Sequence, residues 1–580
     1  MSNARHPTAS PSDTRTFNIR SSKRKVKTGC QTCKDRKVKC DEGRPTCTTC
    51  LSTRRVCQGY GIWGGGDNGT ARTTTINALS SAKLARTLSD TIAPETRDEH
   101  GYLQWFRLRT AIKLRGSFEM KFWDALVLQA SLQEPAIYHA MLALSSMQKR
   151  CCTGLGETSQ DRDLALLDQF TLRHYNKAIK LLIQPRFASE DKESVRVVLI
   201  ACMLFICIEF LRGNYITGNN HLQNGVRILE LLPPDLQGRL DGRNSQSPNA
   251  SSDSVDVWII QVFSRMNLLA RQFGKGLSTY SSPSQFHCRS LPITFESLDQ
   301  ARNCLDYLFH DILCLQKLSH QEGTLEGFSN LNSREELYSI QRQLQANLNI
   351  WSEAYKASRV RFEGQLSLVS QVGHRLLYLY HIMASISADT CLQPGDEMLF
   401  DSHSQAFASM IVHAIKVLKT VRRVHDVDTI FRHEAESSRF TPDIGWIPPL
   451  YYTVIHCRVH RLRMQAIRLL RALPSKEGIW DSRIASLVAD EVVRVEEGDF
   501  YKDSAFDDAF DVESLPQDCD LNLRTLPASF RVRDVQIKFP DGISGTAVMT
   551  YIRSTADGSS ETMTKAYELS LQSDGSRDRT

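Results

Sequence analysis

Residues 30–57 read CQTCKDRKVKCDEGRPTCTTCLSTRRVC, and the rest of the chain is organised around this stretch. Its cysteines are spaced as Cys30-x2-Cys33-x6-Cys40, and after six further residues the same spacing returns as Cys47-x2-Cys50-x6-Cys57. Six of the 16 cysteines of the chain stand in this window, and the others are scattered. The repeat indicates one small module built from two equivalent halves.

A cluster of cysteines can be a disulfide framework or a metal site. Disulfides need an oxidising compartment, and the residues before Cys30 contain no apolar run long enough for a signal peptide. Short Cys-x2-Cys spacers, in contrast, bring thiolates together around a tetrahedral metal ion. We therefore interpret the window as a zinc site whose ligands are Cys30, Cys33, Cys40, Cys47, Cys50 and Cys57.

The number of cysteines also predicts the number of metal ions. One structural zinc ion takes four ligands, so it would leave two thiols unused. Two zinc ions need about eight ligand bonds, which six thiolates supply only if two sulfurs bridge both ions. Cys30 and Cys47 are the symmetric candidates for bridging, because each leads one half of the repeat. The prediction is two Zn²⁺ ions per chain.

The window resembles the six-cysteine binuclear zinc cluster of fungal transcription factors, and Pro45 in the connecting loop also matches that family. The resemblance implies that each half is a short helix followed by an extended strip. It implies a nuclear, DNA-binding regulator of genes read by RNA polymerase II. In the family the first helix reads a CGG triplet in the major groove, and many members control metabolic or secondary-metabolite gene clusters.

The distribution of charge agrees with a nucleic-acid partner. Residues 20–57 hold twelve Lys or Arg and three Asp or Glu, which is a net +9, whereas the whole chain is only +6. The basic excess is therefore local to the cysteine window, and the remainder of the chain is net negative. A concentrated basic patch is typical of proteins that bind double-stranded DNA.

The basic residues are unequally divided between the two halves, since four lie between Cys33 and Cys40 and two in the equivalent interval. Lys37 stands where the family has its base-reading lysine, and Arg36 precedes it. Lys and Arg can donate to guanine O6 and N7, so the resemblance assigns base reading to these two residues. Phosphate contacts or solvated charge are expected at Lys34, Lys39, Arg54 and Arg55. A further basic run precedes the window at Lys23, Arg24, Lys25 and Lys27. We expect it to be a nuclear localisation signal or a phosphate-contacting arm, and a solvated tail is the alternative.

The predicted fold class is mainly α. It comprises a small binuclear zinc module, a flexible linker and a large all-helical regulatory domain with a short C-terminal β-hairpin. The predicted segments are 1–29 (disordered basic arm), 30–57 (zinc module), 58–100 (linker), 101–500 (helical domain), 501–525 (acidic stretch), 526–553 (β-hairpin) and 554–580 (disordered tail).

From residue 101 to about 500, apolar residues recur at helical spacing. Segments around Glu134 to Leu144, Phe205 to Gly213 and His221 to Gly225 resemble recurring parts of the regulatory domain of the same family. Long stretches with helical periodicity cover 365–388, 404–424 and 447–473. In the linker, the leucine spacing falls short of the three or four heptads that a coiled coil requires, so a monomer and a homodimer formed through another surface both stay open.

The apolar run from Val197 to Ile208 is shorter than the roughly 18–20 residues needed to span a bilayer, so we expect a buried core helix and no membrane partner. His139, His174 and His221 are interpreted as hydrogen-bonded packing residues rather than metal ligands. The chain shows no phosphate-binding loop, nucleophile elbow, HExxH or paired-carboxylate pattern. We therefore expect no enzymatic activity, although a small-molecule effector pocket in the helical domain stays open.

Twelve acidic residues lie between Asp490 and Leu521, with aromatic residues among them. Such alternation is typical of activation domains that contact coactivators, and a solvated surface loop is the alternative. We accordingly expect an activator, with a repressor or corepressor acting through the helical domain as the alternative. After this stretch, alternation over 531–539, a Pro540-Asp541-Gly542 turn and a return over 546–553 predict the β-hairpin.

Overall fold

A computed structural model describes the chain over a set of separate ranges. These are 32–33, 36–41, 47–53, 94–152, 160–184, 192–230, 255–274, 286, 291–324, 331–363, 367–393, 395–427, 439–501, 510–521, 525–539, 545–554 and 560–569. The chain divides into an N-terminal unit, residues 1–74, and a C-terminal unit, residues 75–580.

The N-terminal unit is held together by sulfur rather than by apolar side chains. Its described core consists of Cys33, Cys40, Cys47 and Cys50, each at most 3% exposed. A helical turn contains Cys33, and a five-residue helix, α1 (Thr48–Ser52), follows Cys47. A unit of this size has too little apolar surface to fold by burial alone, so bound metal is the expected source of its stability.

The C-terminal unit is mainly helical, and this confirms the predicted fold class. Its helices are α2 Arg97–Trp105, α3 Ala111–Arg115, α4 Val127–Ser131, α5 Pro135–Cys152, α6 Gln160–Leu182, α7 Lys192–Arg212, α8 Tyr215–Glu230, α9 Val255–Gln272, α10 Leu298–Thr324, α11 Leu331–Glu363, α12 Leu368–Thr390, α13 Ser404–Val427, α14 Ile447–His456, α15 His460–Ala472, α16 Ser482–Glu497 and α17 Asp518–Leu521. Two π-helical turns, Phe106–Thr110 and Phe122–Leu126, and two 3-10 turns, Glu397–His403 and Ala528–Phe530, complete the helical elements. Helix α2 begins at Arg97, so the regulatory domain starts slightly before the predicted end of the linker.

Helix α7 lies at the centre of the first half of this unit. It is apolar on every side, and it packs against α5, α8 and α9. Within the described residues it is the helix long and apolar enough to cross a bilayer, and 89% of its most apolar window is buried inside the fold. The expectation of a buried core helix at Val197 to Ile208 is thereby confirmed.

Two glycines in the segments that resemble the family have packing roles. Gly213 ends α7 with φ at +79°, a left-handed conformation that glycine adopts without a Cβ clash. Its neighbour Asn214 donates its backbone N–H to the Glu209 carbonyl at 2.9 Å, which closes the helix end. Gly225 on α8 faces the ring of Phe263 so closely that a Cβ would overlap it. These positions therefore set how α7, α8 and α9 meet.

The stretch 447–473 with helical periodicity forms two helices, because α14 ends at His456 and α15 starts at His460. The intervening Arg458 is buried and donates to Glu397 at 2.8 Å and to Glu496 at 2.7 Å. These contacts draw the backbone out of helical geometry to satisfy a buried charge. Arg463 on α15 also donates to Glu496, at 2.7 Å, so one carboxylate joins two guanidinium groups.

Two small sheets interrupt the helices. The first is formed by β1 Phe440–Thr441, β2 Lys476–Glu477 and β3 Trp480–Asp481, so the region 101–500 is not entirely helical. The second is antiparallel throughout and contains β4 Val532–Lys538, β5 Gly545–Ser554 and β6 Ser560–Leu569. Strands β4 and β5 are the predicted hairpin pair, and a bulge near Asp534 shifts their register.

The expectation of a disordered tail over 554–580 is wrong for residues 560–569, which form β6 and pair with β5 along its full length. The side chains of β6 are mostly exposed and polar, which is why the composition resembled a disordered segment. Backbone pairing with a neighbouring strand, rather than burial of side chains, orders this edge. Lys565 of β6 also donates to Glu491 of α16 at 2.7 Å.

Candidate metal centre and nucleic-acid interface

The four described cysteine sulfurs of the N-terminal unit lie close enough to share metal ions. Cys33 Sγ is 3.6 Å from Cys47 Sγ and 3.8 Å from Cys50 Sγ. The sulfurs of Cys33, Cys40 and Cys47 all lie within 4.8 Å of one another. Sulfurs bound to one tetrahedral zinc ion at Zn–S distances near 2.3 Å stand about 3.8 Å apart. The donor set and its spacing therefore fit zinc, and all four thiols are free of disulfide bonds.

Cys47, one of the two predicted bridging ligands, stands at the start of α1. It is the N-cap of α1, and its sulfur accepts the backbone N–H of Cys50 at 3.3 Å. Among the described sulfurs it lies in a group with Cys33 and Cys40, while Cys50 follows it by one helical turn. An N–H donor and a helix N-terminus both favour the thiolate form that binds metal. The partner bridge, Cys30, and the sixth predicted ligand, Cys57, lie outside the described residues.

Asp41, which the sequence analysis did not single out, organises the second half of the module. Its carboxylate accepts the backbone N–H groups of Thr48 and Thr49 at 2.9 Å each and the Thr49 hydroxyl at 2.7 Å. Hydrogen bonds from Thr48 and Thr49 hold the pKa of this carboxyl well below its usual value. A carboxylate at a helix N-terminus compensates the orphan N–H groups and the helix dipole. An acidic residue directly after Cys40 is the sequence signal that would have indicated it.

Lys37 has an unusual backbone conformation at the end of the first helical turn. Its φ is +54°, in the left-handed region that non-glycine residues rarely adopt. The backbone N–H of Val38 donates to the Cys33 carbonyl at 3.0 Å, and the backbone N–H of Arg36 donates to the Thr32 carbonyl at 3.2 Å. This is the pattern of a Schellman helix end, with Lys37 in the position usually taken by glycine. The side chain of Lys37 is exposed.

Arg36 is half-buried, and its Nη1 donates to the Thr53 hydroxyl at 3.1 Å. This bond connects the end of the first helical turn with the end of α1, so Arg36 links the two halves of the module. Lys39 is exposed and near Lys37 in the chain. The other predicted DNA contacts lie outside the described residues: Lys34, Arg54, Arg55, Lys23, Arg24, Lys25 and Lys27.

The described part of the predicted acidic stretch is docked on the helical domain. Phe510 lies under the guanidinium groups of Arg461 and Arg468, at 3.2 and 3.9 Å from its ring centroid. Gln465 donates to the carbonyls of Val512 and Ser514 at 2.9 and 2.7 Å. At the other end of the stretch, Glu496 and Glu497 belong to α16 and are buried in ion pairs with arginines of the same unit. The described residues of the stretch therefore pack on the helical domain and do not form a free activation segment. Residues 502–509 lie outside the described part.

Comparison with known proteins identifies both units. Residues 112–422 match the family described as the fungal specific transcription factor domain. Residues 28–62 match the fungal Zn(2)-Cys(6) binuclear cluster domain. The two matches together span more than half of the chain, and each falls on one of the two units described above.

Relatives with known roles are also regulators. An aspercryptin biosynthesis cluster-specific transcription regulator from Emericella nidulans is 24% identical over 550 residues, covering 81% of this chain and 87% of that protein. A transcription regulator from Purpureocillium lilacinum is 27% identical over 248 residues, covering 39% of this chain and 55% of that protein. The pestheic acid cluster transcriptional regulator 3 of Pestalotiopsis fici is 48% identical over 56 residues, covering 9% of this chain and 10% of that protein. No solved structure matches the chain.

Proposed function

Because this chain belongs to the fungal-specific transcription factor family that carries a zinc cluster domain, we propose that it reads CGG-type triplets in promoters of a biosynthetic gene cluster. It is a zinc-binding, DNA-binding transcription regulator, and such regulators are generally not enzymes. The finer proposal concerns which bases it reads, through which residues, and which genes it controls. The observation that carries it is the exposed Lys37 at the end of a helical turn anchored by the buried sulfur cluster.

The zinc cluster supplies the rigidity that base reading needs. Buried cysteine thiolates would hold two Zn²⁺ ions, with Cys30 and Cys47 bridging them. Zinc in such a site fixes the fold and takes no part in a reaction. Cys33 would then anchor the helical turn, and the Cys33 carbonyl accepts the backbone N–H of Val38. The metal and the helix end together determine where Lys37 points.

Lys37 is the proposed base-reading residue, because its exposed ammonium can donate to guanine O6 and N7 in the major groove. A lysine held at φ +54° carries backbone strain, and strained residues persist where the surrounding structure holds them in place. Arg36 supports this arrangement by bonding to Thr53, and its remaining N–H groups are available for a second base or a phosphate.

The remaining predicted DNA contacts are proposed to neutralise phosphates. They are Lys39, Lys34, Arg54, Arg55, Lys23, Arg24, Lys25 and Lys27. Such contacts add affinity for any duplex without adding sequence preference. The N-terminal basic run, Lys23, Arg24, Lys25 and Lys27, is also proposed to direct the chain to the nucleus.

The proposed targets are genes of one biosynthetic cluster. Two of the relatives carry the name of such a cluster, aspercryptin in one and pestheic acid in the other. We propose activation as the direction of control, through coactivator contacts made by the helical domain, since Glu496 and Glu497 of the acidic stretch are buried in ion pairs. Repression through the same domain is the alternative, and transcript levels after deletion of the gene distinguish the two.

The test compares equilibrium binding of the full chain to a duplex with CGG triplets and to a duplex with the triplets scrambled. Lys37→Ala should reduce the preference for CGG by about 1–3 kcal/mol if the contact is bidentate. Lys39→Ala is the matched control, and it should weaken both duplexes alike and lower the salt slope by about one. Equal affinity of the wild-type chain for both duplexes would remove the proposal.

A further inference from the structure

Three side chains from distant parts of the C-terminal unit meet between helices α2, α5 and α6. They are Glu99, His139 and His174, one on each helix. His139 Nδ1 is 3.0 Å from His174 Nδ1, and His174 Nε2 is 3.7 Å from Glu99 Oε1. One ligand atom from each residue lies within 4.8 Å of the other two.

The cluster is held in place by its surroundings. Glu99 and His174 are each 2% exposed. Glu99 Oε2 accepts the backbone N–H of Glu95 at 2.8 Å, which leaves Oε1 facing the histidines. The ring of His174 stacks on Phe170 with 4.2 Å between centroids. A carboxylate and an imidazole that are already oriented lose little entropy when they bind a ligand.

The hydrogen-bonding requirements of the cluster also point to a cation. Two Nδ1 atoms at 3.0 Å need one donor and one acceptor, so one imidazole has an Nδ1 lone pair that accepts the N–H of the other, and a metal ion could replace that proton. The carboxylate of Glu99 is buried, and its ion-pair partner among the described residues is an imidazole rather than a lysine or arginine. A buried carboxylate is costly unless a positive charge compensates it.

We propose that Glu99, His139 and His174 form a second metal centre, which takes a divalent transition metal such as Zn²⁺ or Co²⁺. Two imidazoles and one carboxylate are a ligand set that these ions prefer, with water in the remaining position. Ligand atoms about 2.0–2.2 Å from a tetrahedral ion stand about 3.3–3.5 Å apart. The 3.0 Å contact uses Nδ1 of His174 and the 3.7 Å contact uses its Nε2, and a single ion can take only one of these nitrogens. With one ligand atom from each residue within 4.8 Å of the other two, side-chain rotations would bring the three to that spacing.

The metal would fasten α2 to the rest of the regulatory domain. Helix α2 is the first described helix of the C-terminal unit and packs mainly on α5. An ion bound by Glu99 of α2, His139 of α5 and His174 of α6 would connect α2 to both other helices. Occupancy of the centre is therefore expected to slow the exchange of backbone amides in α2. This centre uses no cysteine and is separate from the sulfur cluster in its ligands and its chemistry.

The experiment uses the full chain with its sulfur cluster loaded with zinc, titrated with Co²⁺ and followed by visible absorption and metal analysis. The wild-type chain should bind one further Co²⁺ with the weak bands of nitrogen and oxygen ligands, without the intense band of a cobalt–thiolate bond. His139→Gln should weaken this binding by at least about tenfold. Since His139 is only half-buried, this variant is the one expected to fold normally.

His221→Gln, a change of another half-buried histidine on α8, is the matched control and should bind Co²⁺ like the wild type. The melting temperature of the wild type should rise with added Co²⁺, and that of His139→Gln should not. Glu99→Gln should behave like His139→Gln. The proposal is overturned if the wild type takes up no further Co²⁺, if the new bands are those of thiolate ligands, or if His139→Gln binds as tightly as the wild type.

Discussion

Arg36 Nη1 donates a hydrogen bond to Thr53 Oγ1 at 3.1 Å, across the two halves of the cysteine repeat. Thr53 in turn donates to the Thr49 carbonyl at 2.8 Å, so the bond reaches into α1. The residue before the proposed base-reading lysine is thus tied to the opposite half of the module. Base reading by the first half then depends on the position of the second.

Replacing Thr53 with valine tests this link, because valine keeps the shape of threonine and removes the hydroxyl. Thr53→Val should weaken binding to a CGG duplex by roughly 1 kcal/mol, the usual worth of one hydrogen bond. Zinc content should not change, because no ligand is altered. Fluorescence anisotropy of the full chain measures the affinity, and Ser52→Ala, an exposed neighbour, serves as the control. Equal losses in the two variants would show that the bond has no special role.

Because the backbone of Lys37 is left-handed, Lys37→Gly and Lys37→Ala should differ in the stability of the zinc module but not in DNA recognition. Lys37→Gly should resist zinc removal by a chelator better than Lys37→Ala, because glycine adopts φ +54° without the roughly 1 kcal/mol strain of an L residue. Both variants should lose the preference for CGG, since neither has the ammonium. If Lys37→Gly instead keeps that preference, the side chain is not the reader.

His413 on α13 predicts a decline in stability at acid pH. Burial, together with the nearby cations Lys416, Arg375 and Arg359 and the ring of His374, lowers the pKa of His413 to about 4. The unfolded chain takes up this proton near pH 6.5, so its contribution is intact above 6.5 and is lost as the pH falls towards about 4. His413→Gln should flatten the urea-unfolding free energy in this window, by up to about 1.4 kcal/mol per pH unit. The exposed His100→Gln should leave the slope as it is in the wild type.

Phe510 anchors the acidic stretch to α15 through Arg461 and Arg468. Phe510→Ala should release residues 510–516, because two cation–π contacts of about 0.5–2 kcal/mol each are lost. Hydrogen exchange of these amides should speed up, while exchange in α7 stays slow. Leu515→Ala, which removes an exposed side chain of the same segment, is the control.

A reporter assay with Phe510→Ala asks whether the docked segment conceals an activation surface. Higher transcription from the released segment would show that docking restrains it. Unchanged or lower transcription would show that the contact is structural. The measurement of DNA binding in the same variant separates either effect from a loss of promoter recognition.

The cysteine spacing predicted that Cys33, Cys40 and Cys47 come together at a zinc site, because ligands of a small module must be close in sequence. Helical periodicity likewise located α5 and α7, whose apolar faces are continuous. The pattern could not predict contacts between distant residues. The ion pair of Arg463 with Glu497 and the break at Arg458 depend on partners far along the chain. For the same reason the acids near Phe510 resembled a free segment by composition.

The histidines illustrate the same limit. Sequence spacing gave no reason to associate His139 and His174 with Glu99, since each stands on a different helix. Packing as hydrogen-bonded residues, as expected from the sequence, describes their contact with each other. Only the fold places the carboxylate beside them. Asp41 was missed because its role at the N-terminus of α1 rests on contacts with Thr48 and Thr49, seven and eight residues along the chain.

Zinc is proposed to fold a module whose Lys37 reads DNA bases. The most direct measurement is the affinity of the full chain for CGG and scrambled duplexes before chelation, after chelation and after zinc is restored. We expect preferential CGG binding that disappears with zinc removal and returns with zinc. The proposal is contradicted if the chain keeps its preference for CGG without metal, or if the zinc-loaded chain has none.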